Sequence, residues 1–153
     1  MAVRIQREPF DAGAEIERLT RGRTDVGAAV SFTGLCRADG ETGTISAMEL
    51  EHFPGMAEEE LLRIEAEAHA RWPLLGSLIV HRHGRLVPGD PIVLVVTLSA
   101  HRQAAFEAAN FLMDYLKTSA PFWKKEDNVH GGEWVAAKAS DDGARDRWTT
   151  KSG

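Results

Sequence analysis

Several things are scarce in this chain, and each scarcity excludes something. Its 153 residues include one cysteine, Cys36, so no internal disulfide can form and a reducing cytosol suits it. No apolar run approaches the roughly 20 residues that a membrane-spanning helix needs. The opening MAVRIQREPF lacks the apolar stretch of a secretory signal. Positive charge is in the minority: 18 Lys and Arg stand against 23 Asp and Glu, for a formal net charge of −5. That balance argues against general nucleic-acid binding, which needs a concentrated basic face. It leaves room for one small basic pocket.

Familiar catalytic signatures are missing as well. There is no GxGxxG dinucleotide loop, no GxxxxGK[ST] segment, no HExxH, no GxSxG elbow and no CxxC pair. FTGLCRADGETG carries three glycines at a spacing that fits neither nucleotide-binding pattern.

What remains is a globular composition, 43% hydrophobic and 27% charged, in a length that suits one domain. VRIQ reads as a strand. Asp11 is placed to cap a short helix over FDAGAEIERLT. AAVSFTGL is a strand ending in the polar loop CRADGETG, and TISAMELEHF alternates as another strand. From Met56 to Trp72, Ala57, Leu61, Ile64, Ala68 and Trp72 recur at helical steps, and Pro73 ends the run. LLGSLIVHRHG reads as a strand and RLVPGD as a turn. IVLVVTLSA, almost wholly apolar or β-branched, fits a central strand buried on both faces. Ser99 is the candidate cap of a helix running through Lys117. PFWKKE and GEWVAAK read as extended segments about a glycine turn. SDDGARDRWTTKSG has no strong pattern, so a mobile tail is expected from about residue 139 of a single 1–153 domain. Adjacent strands mixed with crossover helices predict an α+β fold with a mixed sheet.

The chemistry-bearing residues are mostly basic. His101 and Arg102 fall where a buried strand turns into a helix, where free backbone N–H groups and the helix dipole attract anions. A solvated first turn is the plain alternative. Lys117 closes the same helix, where a cation also suits the dipole. Lys124 and Lys125 alternate in an extended segment and must point to opposite faces. If Lys124 enters a pocket, Lys125 belongs to another face or to the rim. Phe122 and Trp123 offer an apolar wall. Arg37 stands in a glycine loop at a strand end, a usual place for a ligand contact. Cys36 beside Arg37 reads either as an activated thiol or as a small core residue. His81 and His83 read either as a metal pair without a third ligand or as ordinary histidines.

FTGLCR, MELEHFPGM, RWPLLG, VHRHGRLVPGD, SAHRQAAFEAANFLMDYLKTSAPFWKKE and GGEWVAAK together closely resemble the catalytic large-subunit family of molybdopterin synthase, over nearly the whole chain. The resemblance implies an α/β hammerhead fold and a homodimer. Each large subunit of that family binds a small ubiquitin-like sulfur carrier, giving a heterotetramer. The carrier's C-terminal Gly-Gly ends in a thiocarboxylate, and its sulfur goes to cyclic pyranopterin monophosphate to form the dithiolene of molybdopterin. No metal or nucleotide cofactor is implied. Carried over residue by residue, the family's catalytic lysines fall on Lys117 and Lys124. Its substrate-binding positions fall on Arg37, His101, Arg102, Lys125 and Lys138. The family commonly has an arginine from the neighbouring protomer where this chain has Lys138, which keeps the charge and loses the planar fork. An aliphatic residue is usual where Cys36 stands, which favours a packing role for it.

Three rival readings remain. The first is a non-catalytic adaptor that binds a ubiquitin-like tail and a phosphorylated ligand. The second is a nucleic-acid protein that stacks bases on the Lys/Trp segment. The third is a metalloenzyme centred on His81 and His83.

Overall fold

The computed structural model describes residues 2–40, 43–118, 121–128 and 131–135, together with Trp148. Their elements run β1 (Ala2–Gln6), α1 (Ala12–Thr20), β2 (Ala28–Leu35), β3 (Asp39–Gly40), β4 (Gly43–His52), α2 (Met56–Arg71), β5 (Leu74–Arg82), β6 (Gly84–Leu86), β7 (Pro91–Ser99), α3 (Arg102–Thr118), β8 (Phe122–Asn128) and β9 (Gly131–Val135). No helix among the described residues is long and apolar enough to cross a membrane.

Two sheets organise the chain. The first has the order β1-β5-β7-β2 and is mixed: β1 runs parallel to β5, and the other pairs are antiparallel. Both faces of its central strands are covered, as their apolar runs require. On one face Ile79, Val93 and Val95 meet Leu61 and Ile64 of α2 and Phe111, Leu112 and Leu116 of α3. On the other face Leu78, Val80, Leu94, Val96 and Leu98 meet Ile16 and Leu19 of α1. Asp11 caps α1 as expected, its carboxylate accepting from the Ala14 N–H at 3.0 Å.

The second sheet has the order β3-β4-β8-β9, with β6 also paired to β4. Its small core is Cys36, Ile45, Met48, Leu50 and Leu86. The expected hairpin of two extended segments about a glycine turn is present as β8 and β9, in register from Lys124 opposite Val135 to Asn128 opposite Gly131.

Three local expectations are corrected. Arg85 and Leu86, read as part of a turn, belong to β6, because Met48 to Leu50 of β4 offer a free edge there. The turn itself is confined to Val87–Asp90, closed by Asp90 N–H on the Val87 carbonyl at 3.0 Å, with Gly89 at φ +96°. Asp39 and Gly40, read as loop, pair with Thr44 and Gly43. Ser99 is not a helix cap: it is the last residue of β7, and its hydroxyl donates to the Pro73 carbonyl at 2.9 Å.

Most of the C-terminal stretch expected to be mobile lies outside the described residues. Trp148 does not. It is buried against Phe111 and Trp72, its carbonyl accepts from Arg71 at 3.1 Å, and its indole N–H donates to Asp114.

Candidate active site

Strand alternation divides the two adjacent lysines. In β8, Phe122, Lys124 and Glu126 share one face and lie opposite His52, Leu50 and Met48 of β4. Lys125 lies on the reverse face opposite Glu49, beside a pairing of Trp123 with Phe53 at 4.7 Å between ring centres. Lys124 therefore shares the core side of this sheet, and Lys125 does not.

The Lys124 ammonium sits 3.7 Å from a carboxylate oxygen of Glu126, whose side chain is only 2% exposed. Gly40 backs that carboxylate so closely that an added Cβ would fall 2.3 Å from its oxygen. Cys36 lies near the same pair. Burial pushes its thiol up, the Asp90 charge adds to this, and Lys124 acts in the opposite direction. A buried thiol pushed up is a packing residue rather than a nucleophile.

Arg37 follows directly and is exposed. The backbone on either side of it is pinned. The Cys36 N–H donates to the Asp90 carbonyl at 2.8 Å, the Cys36 carbonyl accepts from the Gly89 N–H at 2.7 Å, and the Ala38 carbonyl accepts from the Ile45 N–H at 2.7 Å. A fixed loop thus presents the Arg37 guanidinium, for which the described residues supply no ion pair or hydrogen bond.

Lys117 arrives from the other sheet's helix, one residue before the end of α3. It lies close enough for its charge to act on His81. The His81 ring stacks on Phe122 at 3.8 Å and 16°, and Phe122 in turn faces His52 at 6.0 Å and 27°. His52 packs against His83 at 4.5 Å. Burial pushes His81 down to about 4, with the neighbouring positive charges of His52, Lys117 and His83 adding to it. Desolvation also lowers His83, reinforced by His52 and Arg7. Lys124 lies on the face of β8 that carries Phe122, and the charge of Lys117 acts on His81, the ring stacked on that Phe122.

His101 and Arg102 are exposed at the opposite end of α3. Fifteen residues of helix rise separate Arg102 from Lys117, about 22 Å. Within one chain they do not share a small pocket with the lysines. Lys138 lies outside the described residues. Among the described residues no three His, Cys, Asp or Glu side chains converge in a metal-binding group. Of the pair considered from sequence, His81 directs Nδ1 to the Arg82 carbonyl at 2.8 Å.

Sequence reasoning passed over Glu126 and gave His81 no place beside the lysines. The period of two that set Lys124 apart from Lys125 also marks Glu126 as Lys124's neighbour on the same face. Nothing local marks His81, because its partners Phe122 and Lys117 arrive from other elements.

The chain is thus a mixed-sheet α+β protein with cations at both ends of α3 and on the core face of β8. More specifically, the chain belongs to the family of MoaE proteins, whose model matches residues 5–119. It is 64% identical over 152 residues to the molybdopterin synthase catalytic subunit of Mesorhizobium japonicum, covering 98% of this chain and 94% of that one. It is 58% identical to the protein of the same description from Rhizobium meliloti, covering 99% and 97%. Among solved structures, the molybdopterin biosynthesis MoaE protein of Burkholderia ambifaria superposes with a TM-score of 0.83 at 49% identity, covering 97% of this chain and 99% of that one.

Proposed function

We propose that this chain is the catalytic subunit of a molybdopterin synthase, a sulfurtransferase. Sulfur leaves the C-terminal thiocarboxylate of a small ubiquitin-like carrier, whose terminal carbon takes an oxygen in its place, from water or from the substrate carbon that receives the sulfur, and ends as an ordinary carboxylate. It is added to cyclic pyranopterin monophosphate, and two such transfers build the dithiolene. The description of the relatives supports this reading. The observation that carries it is the placing of Lys124 on the Phe122 face of β8, with Phe122 stacked on His81, the histidine on which the charge of Lys117 acts.

The chemistry asks for such an arrangement. The carrier terminus and the phosphate-bearing substrate are both anionic, and they come together only where fixed positive charge offsets their repulsion. Lys117 acts at the carrier's terminal carbon, where an ammonium stabilises a developing oxyanion or protonates a leaving oxygen. Lys124, held by Glu126, acts nearer the pterin. Arg37 takes the phosphate or pterin side, and Lys125 serves the rim. The reaction belongs in the cytoplasm, where the single thiol stays reduced.

His101 and Arg102 join this site from a second copy. Arg102, Phe106, Asn110, Met113 and Lys117 recur at helical steps along one stripe of α3, and Phe106 is 61% exposed. Arg102 and Lys117 are equally distant from the midpoint of this stripe, between Ala109 and Asn110, and so are Phe106 and Met113. Two copies packed antiparallel about a two-fold axis there bring Arg102 of each to Lys117 of the other, and Phe106 to Met113. The homodimer then holds two shared sites, one for each carrier of a heterotetramer, and Lys138 takes the role that the family resemblance gives to a residue of the neighbouring protomer.

The test is reconstitution of the purified chain with a thiocarboxylated carrier and the cyclic pterin. Dithiolene formation is expected. A verified carrier that binds and transfers no sulfur would return the chain to the adaptor reading.

A further inference from the structure

Away from the lysines, a buried polar chain runs from α2 to the first residue of β1. Glu65 of α2 is 0% exposed. Its Oε2 accepts from the Ser77 hydroxyl of β5 at 2.5 Å and from the backbone N–H of Ala2 at 3.0 Å. Since the Ser77 proton is spent on Glu65, the Ser77 oxygen accepts in turn from His69 Nε2 at 2.8 Å. The sulfur-transfer chemistry proposed above uses none of these groups.

Glu65 is incompletely satisfied. Its Oε1 is buried and has no hydrogen-bond partner. Among the described residues the carboxylate has no ion pair either, and a lone buried charge is costly. Burial pushes the carboxyl up, while the bonds from Ser77 and Ala2 and the charge of the N-terminal amine act in the opposite direction. Protonation does not cure the defect. A proton on Oε1 would be a buried donor without an acceptor, and a proton on Oε2 would compete with two donors already aimed there. What the site lacks is a cation with more than one N–H, and the nitrogen already closest to supplying one is that of Ala2.

We propose that cleavage of the Met1–Ala2 bond makes Ala2 the first residue of the mature chain, and that its α-ammonium forms a buried ion pair with both oxygens of Glu65. The step is a hydrolysis by an aminopeptidase of the class that removes methionine before a small residue, and alanine is small. The peptide C–N bond breaks. Water supplies the hydroxyl that completes the methionine carboxyl, and that carboxyl's proton passes with water's other hydrogen to the Ala2 nitrogen. As an amide this nitrogen has one hydrogen and spends it on Oε2. As an ammonium it has three. One keeps the bond to Oε2, a second is free for the neighbouring Oε1, and the new charge offsets that of the carboxylate.

The pair has a structural consequence. β1 is an edge strand, held in its sheet by β5 alone. An ion pair at its first residue ties that edge to α2 through Glu65 and to β5 through Ser77. The cleavage thus completes the fold at this corner. It does so whether or not the chain forms dithiolene, so its test is independent of the proposed function.

The first measurement is the intact mass of the chain, expressed in bacteria without an N-terminal tag. The expected mass is that of residues 2–153, and N-terminal sequencing is expected to open on AVRIQ. A chain that keeps Met1 would overturn the proposal. Amine labelling then reads the ion pair. Only an unprotonated amine reacts with an acylating reagent, and a carboxylate partner holds the amine protonated. Peptide mass spectrometry is expected to show the Ala2 amine labelled roughly tenfold or more slowly in the native protein than in urea. In Glu65→Gln the charge is gone and the native labelling rate should rise severalfold. Equal native and urea rates in the wild type would overturn the pair, and that comparison stands even where Glu65→Gln fails to fold. A folded Glu65→Gln labelled as slowly as the wild type would assign the protection to burial alone and overturn the pair as well.

Discussion

Lys124 and Glu126 stand two residues apart on one face of β8, with 3.7 Å between ammonium and carboxylate, and Gly40 closes the space behind the acid. The carboxylate is almost fully buried while the lysine is partly exposed, so the pair aims the lysine more than it stabilises the fold. Glu126→Gln is expected to cost about 1–2 kcal/mol of stability, well under a fully buried pair. Dithiolene formation should fall by a larger factor than this modest destabilisation accounts for. Gly40→Ala displaces the same carboxylate from behind and should reproduce the loss. Urea unfolding alongside product assays checks both; a Glu126→Gln enzyme with wild-type turnover would remove Glu126 from the account.

The shared-site arrangement makes a prediction about mixtures. Arg102→Ala and Lys117→Ala are each expected to abolish activity in a pure homodimer. Unfolded together and refolded, they form mixed dimers in which one site regains both residues. Random pairing restores about a quarter of wild-type activity. Mixtures as inactive as their components would place His101 and Arg102 in some other role.

His81 also leaves a mark on stability. Its imidazole titrates near 6.5 in a free chain and near 4 in the fold, so the unfolded state binds more protons between those values. The contribution is complete above about 6.5 and is lost as pH falls toward about 4, with a slope of at most about 1.4 kcal/mol per pH unit from this one group. His83 is lowered as well and adds to the slope in the same sense. Denaturant unfolding at several pH values between 4 and 7 should show a shallower decline for His81→Phe than for the wild type. Parallel curves would mean that His81 is not titrating as its burial dictates.

How much of this could be read in the sequence depended on how local the cause was. AAVSFTGL carries its strand pattern within itself, and β2 begins and ends with it. The apolar steps of α2 and the unbroken run of β7 were equally self-contained. β6 was missed because GRL has no strand pattern of its own and is extended only by the free edge of β4. Ser99 looked like a cap because serine favours that position. Its hydroxyl went to Pro73 instead, a partner no spacing rule indicates. At the site, period two separated Lys124 from Lys125 correctly. The roughly 22 Å between Arg102 and Lys117 also follows from helix rise alone. The stacking of His81 on Phe122 was hidden, since it depends on how β5 and β8 pack.

The most direct test of the central claim, that Lys117 works at the sulfur-bearing carbon, measures carrier binding and dithiolene formation on the same Lys117→Ala protein. The account predicts carrier affinity within about twofold of the wild type, the loss of one exposed cation being a small term in a whole interface. It predicts product formation reduced to background. Near-normal product formation by Lys117→Ala at that affinity would contradict it.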